Sequence, residues 1–228
     1  MIELDRIYNT DCLEGMRMIP DKSIDLVVTD PPYLLTGNRG EGLWGGENRK
    51  GMSQLEDIKD GFNERCLDEL VRVMKKINIY LFCSQKQMPM LYRYFVGERD
   101  CNWNLLTWHK TNPVPACGNK YLNDTEFIMF FREKGVKIHG TFDTKRTWFA
   151  SPVNLADKKQ YGHPTCKPVD ILSRLIINSS NEGDMILDPF MGSGSTAVAC
   201  IRENRHFIGY ELNEEYYLKS LERIGAER

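Results

Sequence analysis

Ile24-Asp25-Leu26-Val27-Val28-Thr29-Asp30-Pro31-Pro32-Tyr33 is an aliphatic, β-branched run that ends on an acid, two prolines and an aromatic ring. Its apolar part reads as a buried strand. Two successive prolines remove two ladder donors and fix the backbone, so the strand stops at Asp30. The residue before a proline is itself driven towards extended geometry. The result is a rigid peptide at a strand's carboxyl end that presents a carboxylate, free carbonyls and a ring together. Open α/β sheets put their ligands at that edge. Taken alone, the tetrapeptide also fits a plain strand-ending turn with a solvated Asp30 and a packed Tyr33.

A second stretch favours the first reading. Leu187-Asp188-Pro189-Phe190-Met191-Gly192-Ser193-Gly194-Ser195-Thr196 follows the apolar Met185-Ile186 and turns through two glycines into a helix-like segment. Glycines at such a turn let backbone approach a ligand and aim helix N-terminal amides at it. Further on, Phe207-Ile208-Gly209-Tyr210-Glu211 reads as a short strand ending in an acid. A carboxylate placed there suits a ribose diol.

Around these motifs, apolar strands alternate with amphipathic helices. Strands are expected at residues 4–9, 78–83, 104–108 and 127–131, and helices at 12–19, 63–76, 87–98, 169–177, 197–204 and 214–224. The last helix has Tyr217, Leu218, Leu221 and Ile224 as its apolar residues, and residues 135–162 read as irregular. The alternation predicts an α/β fold with a doubly wound, mostly parallel sheet and helices on both faces. The 228 residues are enough for one large core and too few for two, so residues 1–228 are expected to form a single domain. A formal net charge of −2 gives no general attraction for nucleic acid, so any basic surface must be local. The seven cysteines contain no Cys-x-x-Cys pair and read as small buried hydrophobes in a reducing compartment. His163 and Cys166 have metal-like spacing, but two ligands without partners make no site, and no metal is expected. The start lacks signal-peptide features and no apolar run approaches a membrane span, so a soluble, cytoplasmic protein is expected.

The two motifs together resemble those of the DNA amino-methyltransferases, which move a methyl group from S-adenosylmethionine to the exocyclic amine of a base. In that family the catalytic tetrapeptide is Asp/Asn/Ser-Pro-Pro-Tyr/Phe, and the cofactor turn is Asp-Pro-Phe-x-Gly-Ser-Gly-Thr-Thr. Here the catalytic motif comes first, the permuted order of the beta class. Asn9-Thr10-Asp11-Cys12, Trp108-His109-Lys110, Asn123-Asp124-Thr125-Glu126 and His163-Pro164-Thr165-Cys166-Lys167-Pro168 extend the likeness along nearly the whole chain.

The resemblance implies the S-adenosylmethionine-dependent methyltransferase form of the fold, with that cofactor. It assigns catalysis to Asp30, Pro31, Pro32 and Tyr33. Asp30 and the Pro31 carbonyl would accept the hydrogen bonds of the target amine as charge develops on it. Tyr33 would stack on a base extruded from the duplex. Phe190, Gly192, Ser193 and Gly194 would surround the cofactor, with Ser195 and Thr196 at the helix start and Asp30 bordering it. Glu211 would take the ribose hydroxyls, Asp188 would lie near the methionine amino group, and Lys167 would pair with the methionine carboxylate or position the helix after it. Asp11, beside Cys12, would accept from the cofactor's adenine amine; equally, it caps a helix.

Residues 34–60 hold six glycines between Gly37 and Gly51, too many to bury much surface. They read as a surface loop or as a lid that closes over DNA, with Arg39, Arg49 and Lys50 on phosphates. Residues 135–162 form the most basic region and a short target-recognition candidate; Lys145 and Arg146 there, with Lys110, complete the expected DNA contacts. Double-stranded DNA is the expected partner; a second copy of the chain and a restriction-system partner are compatible with it. An Asp-first, Tyr-last tetrapeptide is the family's usual form for the N6 amine of adenine. The alternatives are cytosine-N4 transfer and, from another class, a catalytically silent DNA-binding relative.

Overall fold

In a computed structural model, which describes residues 3–32, 63–113, 115, 118–119, 121–153, 155–161 and 166–228, the two motif strands lie side by side. The described strands are β1 (Arg6–Tyr8), β2 (Leu26–Thr29), β3 (Asn78–Cys83), β4 (Asn102–Lys110), β5 (Thr125–Arg132), β6 (Trp148–Ser151), β7 (Met185–Asp188) and β8 (His206–Tyr210). They form one sheet in the order β1-β8-β7-β2-β3-β5-β4-β6. Only β5 runs against its neighbours. Leu26 pairs with Ile186 and Val27 with Leu187, so the carboxyl ends of β2 and β7 emerge together.

Both faces of the sheet are covered. Leu26, Val28, Tyr80, Phe82, Ile128 and Phe130 point into one core, and Val27, Ile79, Leu81, Met129 and Phe131 into the other. This is the period-two alternation of a strand buried on both sides, which requires the near-continuous apolar runs seen in β2 and β3. Helices α5 (Val169–Ser179), α6 (Ser195–Arg202) and α7 (Glu214–Glu227) close the first core. On the second face lie α1 (Cys12–Met16), α2 (Glu64–Val73) and α3 (Met88–Tyr92), the last continued by a π-helical turn over Arg93–Gly97. The sheet is therefore doubly wound, as the alternation of elements predicts. From β2 the chain returns to β3 on one side, and from β7 to β8 on the other. The cleft between the ends of β2 and β7 is thus the switch point where such folds bind ligands.

Three expectations need correction. Residues 135–162 are not irregular: they contain β6 and the short α4 (Leu155–Tyr161). β6 is a four-residue edge strand in which only Phe149 is buried, too short to show alternation in the sequence. The 87–98 helix is broken into α3 and the π-helical turn. The face of α7 is also rotated: Leu218 and Leu221 are exposed at 56% and 39%, whereas Ser220, Arg223 and Ile224 are buried.

Small Ser220 is there because of the glycine turn. Gly194 stands at φ 77° at the start of α6, and a Cβ on it would come within 3.1 Å of Ser220 Cβ. Gly183 has a similar φ of 80° with open space around it. We therefore expect Gly183→Ala to cost the left-handed backbone alone, roughly 1–2 kcal/mol, and Gly194→Ala to cost more. Urea melts of the two variants at equal protein concentration check the ranking.

Candidate active site

A cavity of about 320 Å³ opens at the carboxyl ends of β1, β2, β7 and β8, a size proper to a small-molecule site. Asp11 and Cys12 line it from the start of α1, Asp30, Pro31 and Pro32 from the end of β2, and Phe190, Gly192, Ser193, Ser195 and Thr196 from the turn after β7. Tyr210 and Glu211 close it from β8, and Lys167 enters from the segment before α5. The structure thus brings together most of the cofactor and catalytic residues expected from the sequence. Tyr33, Arg39, Arg49, Lys50 and the lid at 34–60 lie outside the described residues.

Asp188 is the buried brace of the cleft. Its Oδ1 accepts from Thr29 Oγ1 at 2.7 Å and from the Phe190 N–H at 3.1 Å, and its Oδ2 accepts from Thr196 Oγ1 at 2.6 Å. These bonds tie the end of β2 to the turn after β7 and to α6. These bonds make Asp188 part of the frame of the site, and the residue also lines the cavity. Burial pushes its pKa up to about 6, against the pull of those three donors.

Glu211 sits on the opposite wall. Its Oε2 accepts from the Gly192 N–H and its Oε1 from the Asn213 N–H, each at 2.8 Å. Burial raises its pKa, while these backbone donors oppose the rise. The acid is therefore aimed by the glycine turn itself. Beside it the Tyr210 hydroxyl is buried with no hydrogen-bond partner among the described residues. An aimed carboxylate on the cavity wall fits a ligand carrying hydroxyls, as a nucleoside does. Asp11 caps α1, its Oδ1 accepting from the Leu13 and Glu14 amides at 2.9 and 3.2 Å, while the residue also lines the cavity.

Lys167 has protein partners of its own at the cavity. Its buried ammonium donates to Asp30 Oδ2 at 2.5 Å and lies 3.3 Å from Glu126 Oε2, between two protein carboxylates. Glu126 in turn holds Lys110 at 2.8 Å through Oε1. Burial alone would raise the pKa of Glu126, but Lys167 and Lys110 hold it below the usual carboxylate range. Lys110, expected as a DNA contact, is 16% exposed in its side chain and belongs to this cluster at the carboxyl end of β4. Lys145 and Arg146 lie elsewhere again. Their segment is clamped to the far half of α5, where Arg174 and Asn178 donate to the Thr144 carbonyl and Arg174 to that of Arg146. The cavity opens at the other end of that helix.

Gly194 is not a lining residue; its missing Cβ makes room for α7. Ser193 and Ser195 turn their hydroxyls away to Arg223 and Cys166. Arg223 was not singled out from the sequence. It is 5% exposed, donates to Ser195 Oγ at 2.8 Å and to the Ser193 carbonyl at 3.3 Å, and is ion-paired with Asp157 of α4. An arginine three residues from Ser220 on α7 was the available signal, masked by the apolar Leu218 and Leu221. Among the described residues no cluster could hold a metal ion, and no helix is long and apolar enough to cross a membrane.

The raised pKa of Asp188 has a sign that can be checked. The folded protein keeps this proton up to about pH 6, while the unfolded chain gives it up near 3.8. Between those values the folded state binds the extra proton, so this residue's contribution to stability falls as pH rises. Asp188→Asn should flatten that part of the curve by about 3 kcal/mol at most across pH 4 to 7. Urea melts of both proteins over that range, read as a difference, test it.

A family model for N6 and N4 methyltransferases, described as DNA methylase, matches residues 24–222. The Type II methyltransferase M.HpaI of Haemophilus parainfluenzae is 28% identical over 97% of this chain and 74% of its own length. M2.DpnII of Streptococcus pneumoniae is 30% identical over 97% of this chain and 90% of its own. Among solved structures, the M1.HpyAVI–SAM complex superposes with a TM-score of 0.71 at 22% identity, covering 96% of this chain and 98% of that one. The cytosine-N4-specific PvuII DNA methyltransferase gives 0.73 at 18% identity, covering 97% and 90%. Two motif strands side by side, one shared cavity and a family match over most of the length agree: the chain belongs to the DNA methylase family of N6 and N4 amino-methyltransferases.

Proposed function

We propose that this protein transfers a methyl group from S-adenosylmethionine to the N6 amine of adenine in DNA. The observation that carries the reading is that Asp30 and Glu211 face one cavity, braced by Asp188 between them. Glu211 is the group that would hold the cofactor's nucleoside, and Phe190 and Gly192 would flank it. The bound cofactor supplies a methyl made electrophilic by its sulfonium.

The protein's own part is alignment and charge. An exocyclic amine is a weak nucleophile because its lone pair is delocalised into the ring. The Asp30 carboxylate and the Pro31 carbonyl accept its N–H bonds and turn the lone pair towards the donor. They also stabilise the positive charge that grows on nitrogen, an effect enlarged where water is excluded. Asp30 is recessed, its side chain 21% exposed, so a stacked base cannot present its amine there. The target is therefore read as flipped out of the duplex, with Tyr33 as its stacking partner. The relatives named as Type II methyltransferases support a site-specific role within a restriction–modification system. An acid in the first position of the tetrapeptide favours adenine over cytosine.

Asp30→Ala is expected to lower single-turnover methylation by roughly 10²–10³-fold with cofactor affinity retained. Glu211→Ala is expected to do the reverse, weakening cofactor binding in calorimetry with less effect on the saturated rate. Digestion of methylated DNA to nucleosides and mass identification should yield N6-methyl-2′-deoxyadenosine; N4-methyl-2′-deoxycytidine would replace the adenine reading with the cytosine one.

A further inference from the structure

The cluster behind Asp30 goes beyond the reading above and rests on it. Four charged side chains alternate in sign from the cavity inward: Asp30, Lys167, Glu126 and Lys110. They come from the end of β2, the segment before α5, and the neighbouring strands β5 and β4. Lys167 is 6% exposed and its ammonium also lies 5.1 Å from the centre of the Phe82 ring. An ammonium so far from water needs both acids, and each acid is fixed in turn by the ammonium. The four formal charges sum to zero, so the spot has little attraction for the carboxylate of a ligand.

The geometry points to Lys167 and Glu126 as positioning residues for methyl transfer: Glu126 seats Lys167, and Lys167 orients the Asp30 carboxylate and keeps it ionised. The use of such a pair follows from the chemistry. An acceptor that must meet an amine's hydrogen cannot rotate, and it must not be protonated at the working pH. A hydrogen-bonded cation beside one oxygen meets both needs. Among the described residues Asp30 faces Lys167 from the α5 approach, Asp188 from β7 and Cys83 from β3, and Glu126 of β5 lies on the same ammonium. Lys167 is the cation of that set, so its removal takes away a charge that favours the ionised acid. Removal of the Glu126 charge acts the other way.

That opposition supplies the test. Single-turnover methylation with saturating DNA and S-adenosylmethionine is followed against pH for wild type, Asp30→Ala, Lys167→Met, Glu126→Gln and the Lys167→Met/Glu126→Gln pair. Calorimetry gives cofactor affinity, and circular dichroism confirms folding. Lys167→Met should lose roughly 10²-fold in rate with near-unchanged cofactor affinity, and its acid limb should move to higher pH. Glu126→Gln should lose less, and its acid limb should move to lower pH. The charge-balanced pair should recover thermal stability but not rate. A Lys167→Met defect confined to cofactor affinity would overturn the inference, as would full recovery of rate in the pair. If Lys167→Met does not fold, an unmoved acid limb in Glu126→Gln overturns it alone. Wild-type activity in Asp30→Ala would instead remove the catalytic reading beneath it.

Discussion

A single hydrogen-bonded contact, Thr29 to Asp188, joins the two halves of this molecule's chemistry. The threonine ends the strand that carries Asp30, and the aspartate ends the strand that leads into the glycine turn. Neighbouring strands with ends at the same level would fan apart under sheet twist unless something held them. A buried carboxylate with three donors does so, at the cost of an acid that resists ionisation. The cavity exists because the two ends stay together while their chains leave in opposite directions.

The pair Cys166 and Lys167 plays a complementary part. Lys167 reaches one motif through Asp30, while the Cys166 thiol meets Arg223 and the serine hydroxyls behind the other. Two buried cations, Lys167 and Arg223, therefore flank one short stretch of backbone, and each is satisfied by an acid from a different element. Buried pairs of this kind add little net stability, but loss of one partner leaves a stranded charge, which commonly costs about 3–5 kcal/mol. Their value here is geometric, since they fix the approach to α5 against both motif turns.

Much of this was legible in the residues. Strands with two buried faces are written as unbroken apolar runs, and β3 was bounded correctly from Asn78 to Cys83. The strand ends were marked by Pro-Pro and by the glycine turn, chemistry that local sequence cannot hide. What was hidden depends on partners far along the chain. Nothing in the sequence around Lys167 and Lys110 reveals that both share Glu126 as a partner. Gly194 looked like a ligand glycine until α7 was seen packed against it. β6 and α4 went unread because an edge strand with one buried residue and a polar seven-residue helix carry almost no periodic signal.

The permuted order has a consequence for how the chain is made. β2 is bordered by β3, which soon follows it, and by β7, about 160 residues later, as the hydrogen bond between Thr29 and Asp188 records. β1 likewise waits for β8 before it has any strand neighbour in the sheet. During synthesis the catalytic strand therefore leaves the ribosome with one edge open and apolar, and it stays so until β7 has emerged. Closure of the sheet is a late, long-range event with the slow kinetics that high contact order brings. A polypeptide stopped short of β7 would present β2 as an unprotected edge, a template for pairing with another chain.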